Sequence, residues 1–118
     1  MSKNKAKGTS AESAVVKHLV ENGFPYAERR ALTGANDQGD VSGCIGLVFE
    51  VKNHKTYLFP SWLKETEVER INAKADYGIL VVKPNGVGID KPGEFFAVMK
   101  LKDMTSLVRD AGYGNPND

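Results

Sequence analysis

The stretch GDVSGCIGLVFEVK, residues 39–52, decides the fold of this chain. Its two apolar-polar segments, Asp40 to Gly43 and Leu47 to Lys52, have the pattern of β-strands. Between them, Cys44-Ile45-Gly46 fits a three-residue hairpin loop that ends in a left-handed glycine. Residues equally far from Ile45 should then face each other across the hairpin. Asp40 is therefore predicted to lie directly opposite Glu50.

Two opposed carboxylates are an unusual feature of such a hairpin. Directly paired residues have Cβ atoms about 4.5–5.5 Å apart, so like charges repel unless a cation or a proton intervenes. Mg²⁺ prefers oxygen ligands and is often held by one or two carboxylates. Lys52 lies on the same face as Glu50, where its ammonium group can position or activate a water or neutralise a phosphate. The three residues predict a site of metal-assisted phosphodiester hydrolysis, and the alternative is a solvated polar face.

Outward from this hairpin, the sequence predicts an α/β fold. Thr9 and Glu12 form a capping box for a first helix that ends before Gly23. The remaining predicted elements are a strand over Phe24–Leu32, a loop over Thr33–Gly39, a helix from Pro60 to Ala75 with Val68, Ile71 and Ala75 on its apolar stripe, a strand over Gly78–Val82, a loop over 84–93, a strand over Glu94–Leu101 and a short helix capped by Asp103. This order, α-β-β-β-α-β-β-α, predicts a single mixed β-sheet flanked by helices.

Composition favours one domain without a membrane segment. The chain has 118 residues, of which 41% are hydrophobic and 26% charged, so residues 1–118 are predicted to form one domain with flexible ends at 1–8 and 114–118. The single cysteine, Cys44, excludes an intrachain disulfide and suits the cytoplasm. No apolar run approaches the roughly 18 residues of a membrane span. The net charge is +1, but the first 36 residues hold six basic and three acidic residues, which favours a polyanion partner or a solubilising terminus.

The Gly-Asp pair followed by Glu-Val-Lys resembles the motif of the PD-(D/E)xK nuclease superfamily, with Gly39 in the place of the proline. Within that superfamily, the chain is similar to archaeal-type and small phage Holliday junction resolvases. The similarity begins with KGTSAE and VVKHLVENGF, continues through ERRALTG and EVERINAKADYGILVV, and covers roughly residues 7–101. The matching positions are Lys7, Gly8, Glu12, Gly23 and Phe24.

The resemblance implies a restriction-endonuclease-like α-β-β-β-α-β core and a Mg²⁺-dependent endonuclease, with Mn²⁺ as a substitute metal. It implies that four-way DNA junctions are cut by a homodimer, because each chain holds one such motif. Asp40 and Glu50 would bind the metal, with the Val51 carbonyl as a further ligand, and Lys52 would act on the attacking water. Glu12 matches a catalytic glutamate, although its capping-box role is an alternative.

Several other side chains are candidates for DNA or metal contacts. Alternation along the first strand predicts that one of Arg29 and Arg30 contacts a phosphate and that the other pairs with an acid such as Glu28 or is solvated. Further phosphate candidates are Lys3, Lys5, Lys7 and Lys55, each with a plain surface role as the alternative. Asp37 is predicted to cap its loop, with assistance to the metal as the alternative. His54 is predicted to be a surface residue, with a general base or a supporting group behind the metal ligands as the alternatives. The second-helix acids Glu65, Glu67 and Glu69 are predicted to form a solvated face.

Three rival functions stay open at this point. One is a nuclease of other specificity, in repair or restriction. Another is a DNA-binding module that keeps the fold without catalysis, although a pure binder has no need of opposed carboxylates near phosphates. The third is an interaction protein that binds through the acidic second helix. For a homodimer, the candidate interface residues are Phe59, Trp62 and the strand from Phe95 to Leu101.

Overall fold

The computed structural model describes the backbone of residues 3–30 and 37–114, with side chains from residue 5 onward. Within these ranges the chain forms an α/β fold. The elements are α1 (Lys3–Glu21), β1 (Glu28–Arg29), β2 (Val41–Ser42), β3 (Leu47–Lys52), α2 (Phe59–Ala73), β4 (Tyr77–Val82), a 3₁₀ turn (Pro92–Glu94), β5 (Phe96–Val98) and α3 (Leu101–Asp110).

The central sheet contains β3, β4 and β5 in that order. β3 and β4 are parallel, and α2 connects them, since parallel strands need a crossover connection. β5 runs antiparallel to β4. The apolar run of β4 is buried from Ile79 to Val82, as predicted for a strand covered on both faces.

The two faces of the sheet pack on different helices. The small and branched residues of α1 meet the face formed by Phe49, Val51, Ile79 and Val81. On the other face, Trp62 of α2 packs against Leu80 and Val82. Because side chains alternate along a strand, Glu50 and Lys52 of β3 point to the α2 face. The fold therefore directs the two charged residues of the Glu-Val-Lys motif toward a helix.

The predicted single sheet is wrong in detail, because β1 and β2 form a separate two-stranded antiparallel sheet. Gly46 is left-handed as predicted, but Gly39 and Gly43 also have positive φ and bend the chain between them. At Gly43 a β-carbon would overlap the Tyr26 carbonyl oxygen, so β2 lies close against the segment that leads into β1. Instead of a β2–β3 ladder among the described residues, the Asp40 N–H donates to the Phe49 carbonyl at 2.8 Å.

The first helix begins earlier than predicted. α1 starts at Lys3, so residues 3–8 are helical rather than frayed. Lysine and alanine are good helix formers, and they extend the helix upstream of Thr9. The capping-box interpretation of Thr9 and Glu12 is therefore wrong, because both lie inside the helix. The predicted flexibility of residues 1–2 and 115–118 concerns positions outside the described residues.

The second helix presents a different face to the sheet than its apolar residues predict. Its buried residues are Trp62, Thr66 and Glu69, whereas Val68 is 53% and Ile71 58% exposed. Positions 62, 66 and 69 follow the helical i, i+4, i+7 spacing. Ala75 is buried but lies beyond the end of α2. The prediction failed because the inward stripe includes a threonine and a glutamate.

The shorter elements also differ from their predicted bounds. Of the predicted first strand, Phe24–Leu32, only Glu28–Arg29 is a strand among the described residues. Residues 31–36, which include the end of that predicted strand and the start of the predicted loop, lie outside the described residues. The last strand is confined to Phe96–Val98. α3 starts at Leu101 with Lys100 as its N-cap, so the cap lies three residues before the predicted Asp103. Among the described helices, none has the length and apolar content needed to cross a bilayer.

Candidate functional site

The predicted pair Asp40 and Glu50 comes together at the end of β3, although by a different geometry. Instead of pairing with Glu50 across a hairpin, Asp40 is bonded through its backbone to Phe49. Its Oδ2 accepts the Val51 N–H at 2.7 Å, which fixes the orientation of the carboxylate. The two carboxyl groups are close enough to influence each other electrostatically: the charge of Asp40 contributes to raising the pKa of Glu50, after the larger effect of burial.

An open cleft lies where α1 meets the end of β3. It unites residues that are separated by up to 48 positions in the sequence, because α1 and β3 pack together. The Asn53 side chain ties the two elements by donating to the Lys7 carbonyl at 3.3 Å. The lining residues are Lys7, Gly8, Glu12, Asp40, Glu50, Val51, Lys52, Asn53, His54 and Lys55. The cleft thus contains all four predicted catalytic residues and two of the predicted phosphate contacts.

Glu12 reaches this cleft with a partner already in place. Arg29 approaches the Glu12 carboxylate through both Nε and a terminal nitrogen at 3.1 Å. The prediction that one of the two arginines pairs with an acid is therefore confirmed, but the acid is Glu12 rather than Glu28. The negative charge of Glu12 contributes to raising the Asp40 pKa, after the larger effect of burial. Glu12 is thus electrostatically part of the site.

Lys52 is held between two carboxylates. Its Nζ lies 3.1 Å from Glu50 Oε2 and 3.0 Å from Glu65 Oε1, and it sits 5.9 Å from the Trp62 ring centroid. Burial alone would lower the pKa of Lys52, but the charge of Glu50 and the hydrogen bond to Glu65 outweigh it and raise the pKa above its ordinary value. The ammonium group therefore stays charged at neutral pH.

The acids of α2 were predicted to be solvated, and this is wrong for two of them. Glu69 is 1% exposed, and Glu65 is half-buried against Lys52. Glu67 alone among the three is exposed and pairs with Arg70 at 2.8 Å. The spacing of Glu65 and Glu69 from Trp62, along one side of the helix, was the sequence signal for this burial.

The buried acids belong to a cluster on the α2 side of β3. One carboxylate oxygen from each of four residues lies within 4.8 Å of the others, in a set made up of Asp37, Glu50, Glu65 and Glu69. Asp37 also accepts the Gly39 N–H at 2.8 Å, which confirms its predicted role in the loop. Asp40, the predicted metal ligand, is not a member of this set.

Burial raises the pKa values of the carboxyl groups in this region. The pKa of Asp40 rises to about 6, because desolvation outweighs the hydrogen bond from Val51. Burial raises the pKa of Glu50 to about 11, with the neighbouring Glu65 and Asp40 acting in the same direction. Glu50 Oε1 is buried and accepts no hydrogen bond from the described residues. A carboxylate oxygen that accepts no hydrogen bond is a suitable ligand for a hard divalent cation such as Mg²⁺.

The predicted phosphate contacts are distributed unevenly around the cleft. Lys7 and Lys55 are exposed on its rim, whereas Lys5 lies on the exposed part of α1 outside the lining. Arg30 is half-buried, and its Nε has no partner among the described residues. The side chain of Lys3 lies outside the described set.

His54 stands on the rim, with its ring centroid 5.1 Å from that of Trp62. Burial, followed by the charges of Lys52 and Lys7, lowers the pKa of His54. The imidazole is therefore mostly neutral at pH 7. Trp62 is buried in the core, so it is not available for the predicted dimer interface, whereas Phe96 and Leu101 are exposed.

The chain was compared with protein-family models, curated proteins and solved structures, and none of them matches it.

Proposed function

We propose that this protein is a Mg²⁺-dependent endonuclease that hydrolyses phosphodiester bonds in branched DNA, with four-way junctions as the substrate class. The observation that carries the proposal is the convergence of Asp40, Glu50 and Lys52 in one open cleft with Lys7 and Lys55 at its rim. Carboxylates at the centre and lysines around them suit a metal ion and a phosphate backbone, respectively.

Asp40 and Glu50 are the residues that would hold the cation, with the Val51 carbonyl as a further ligand. A bound Mg²⁺ supplies Lewis-acid activation of the phosphodiester and of the attacking water. The Val51 N–H keeps Asp40 in one orientation, which reduces the entropy lost when a ligand binds. β3 packs against both α1 and α2, which limits the movement of Glu50.

Lys52 acts in this proposal as a fixed positive charge. Its raised pKa makes it a poor proton acceptor, so it orients a water by donating a hydrogen bond or stabilises charge on the phosphate. Glu65 holds the Lys52 ammonium group close to Glu50. Glu12, paired with Arg29, adds a third carboxylate to the cleft and helps to attract the cation.

DNA would lie across the rim formed by the end of β3 and the start of α1. Lys7 and Lys55 contact phosphates there, and Lys5 extends the same basic surface along the helix. Cutting two strands of one junction needs two such clefts, so the active species would be a homodimer with twofold symmetry. Phe96 on the edge strand β5 and Leu101 at the start of α3 supply exposed apolar surface for the interface.

The experiment is to incubate the protein with labelled four-way junction and with linear duplex of the same sequence, in Mg²⁺, in Ca²⁺ and in chelator. We expect paired nicks on opposed strands of the junction in Mg²⁺, and binding without turnover in Ca²⁺, whose shell is larger and looser. Light scattering should report a dimer. Equal cutting of the duplex by a monomer would overturn the junction assignment, whereas cleavage in excess chelator would overturn the metal mechanism. Binding without cleavage in Mg²⁺ would favour a DNA-binding module.

A further inference from the structure

Glu69 is a buried carboxylate that the proposed cleavage reaction does not use. It is 1% exposed, and neither of its oxygens accepts a hydrogen bond from a donor in the described residues. A buried charged group without a partner is costly, so such a group usually has a proton, a cation or a metal beside it. Its neighbour Glu50 also has one buried oxygen without a donor.

The arrangement around Glu69 has the dimensions of a cation site. The four carboxylate oxygens of Asp37, Glu50, Glu65 and Glu69 all lie within 4.8 Å of one another. Ligands on opposite sides of a cation are separated by twice the metal–oxygen distance, which is about 4.2 Å for Mg²⁺ and about 4.8 Å for Ca²⁺. Four oxygens within this span are therefore close enough to be ligands of one ion.

The positive charge near the cluster does not balance its carboxylates. Lys52 forms ion pairs with Glu50 and Glu65. Among the described residues, it is the basic side chain that pairs with this cluster. Neither Asp37 nor Glu69 forms an ion pair with a basic side chain of the described residues. With all four carboxylates ionised, the one ammonium group would leave a charge of −3, and a divalent cation would reduce this to −1.

The backbone around the cluster is already organised to hold a ligand. The Asn72 side chain of α2 donates to the Asp37 carbonyl at 2.9 Å and ties this segment to the helix. The Gly39 N–H fixes the Asp37 carboxylate at 2.8 Å. Glu69 approaches from α2 and Glu50 from β3, so the ligands come from three separate parts of the chain.

We propose that a divalent cation binds between β3, α2 and the segment at Asp37, with Glu69, Glu50 and Asp37 as its principal ligands and Glu65 as a fourth. This cation has a structural role, because Glu69 and Asp37 do not line the cleft where a phosphate would lie. It ties α2 to the sheet from inside. The site shares Glu50 with the proposed catalytic centre but does not depend on nuclease activity.

The test is Mn²⁺ binding to the full chain in the absence of DNA, followed by electron paramagnetic resonance and by thermal unfolding. Because the proposed catalytic centre can also take Mn²⁺, binding is measured in Asp40→Asn as well as in wild type. Both proteins should bind Mn²⁺ at the Glu69 site and unfold at a higher temperature in its presence. Glu69→Gln, which keeps the size and removes the charge, should weaken this binding at least ~10-fold, because loss of even a supporting group at a metal site typically costs about 10–100-fold. The stabilisation by Mn²⁺ should be lost with it.

Two further variants keep the test decisive. Glu67→Gln is the matched control, since Glu67 lies on the same helix but is exposed and paired with Arg70. It should bind Mn²⁺ as wild type does. Asp37→Asn changes an exposed ligand without disturbing the core, so it serves if Glu69→Gln does not fold, and it should weaken binding too. Unchanged Mn²⁺ binding in both Glu69→Gln and Asp37→Asn would overturn the proposal, whatever the outcome of the cleavage assay.

Discussion

Without a divalent cation, the protein should become less stable as the pH rises through neutrality. Burial raises the pKa of Glu69 from 4.5 in its ordinary state to about 8 in the folded protein. The folded state therefore binds a proton that the unfolded chain has released. The stabilisation that this gives is fully present below about pH 4.5 and is lost as the pH rises through about 8. Glu50, with a pKa raised to about 11, and Asp40, with a pKa raised to about 6, act in the same direction.

The size of the effect follows from the difference between the two pKa values of Glu69. Each unit corresponds to about 1.4 kcal/mol, so the complete transition would cost on the order of 5 kcal/mol in the free energy of unfolding. This is an upper value, because Glu69 shares its protons with neighbouring carboxyl groups. Most of this loss falls below pH 7, so about 1.4 kcal/mol of it remains for the interval from about pH 7 to about pH 9, which urea unfolding resolves against a total stability of about 5–15 kcal/mol.

The assay is urea unfolding in chelator at about pH 7 and about pH 9, compared for wild type and two variants. This window avoids the opposing contribution of His54, whose lowered pKa makes stability rise with pH at around pH 6.5. Glu69→Gln should have a flatter pH dependence, whereas Glu67→Gln should follow wild type. A wild-type stability that is constant or rises over this window would refute the reasoning, as would an unchanged slope in Glu69→Gln.

Three further predictions concern single residues. Lys52→Ala should lower the cleavage rate more than the affinity for junction DNA, measured by single-turnover kinetics and titration, and equal losses would make Lys52 a simple phosphate contact. Glu12→Gln should lower the cleavage rate at saturating DNA, because it removes a negative charge beside Asp40, and unchanged activity would leave Glu12 as a partner of Arg29 alone. Gly43→Ala should destabilise the protein in urea by at least about 2–3 kcal/mol, since a positive φ and an overlap with the Tyr26 carbonyl combine there, whereas Gly86→Ala, with a positive φ in open space, should cost about 1 kcal/mol. Equal losses for the two glycine variants would contradict this packing.

The sequence pattern was sufficient to predict two local features of the fold. The run of β4 and the left-handed turn at Gly46 follow from local chemistry, and both are found as predicted. The pairing of β2 depends instead on a contact between Gly43 and a carbonyl oxygen 17 residues earlier in the chain. No local pattern encodes such a contact, so the predicted hairpin ladder was wrong.

For the candidate site, the sequence predicted which residues share the cleft, but it did not predict the ion pairs that these residues form. Asp40, Glu50 and Lys52 do share a cleft, because β3 and its flanking residues fix their positions. The ion pair between Glu12 and Arg29 and the burial of Glu69 depend on how the helices pack on the sheet. A glutamate within a run of acids on a helix has the pattern of a solvated face. The spacing from Trp62 distinguishes Glu69 from the exposed Glu67, but the burial of Trp62 against the sheet is seen only in the three-dimensional packing.

The central claim, that Glu50 in the cleft supports metal-dependent DNA cleavage, is tested most directly by the cleavage rate of Glu50→Gln on a four-way junction in Mg²⁺. Glu67→Gln is the control, and urea unfolding verifies that both variants are folded. The account predicts that Glu50→Gln loses at least ~100-fold in rate, because a metal site contributes several kcal/mol to the transition state, while its affinity for the junction is unchanged or higher. Cleavage by Glu50→Gln at the rate of the wild type would contradict it.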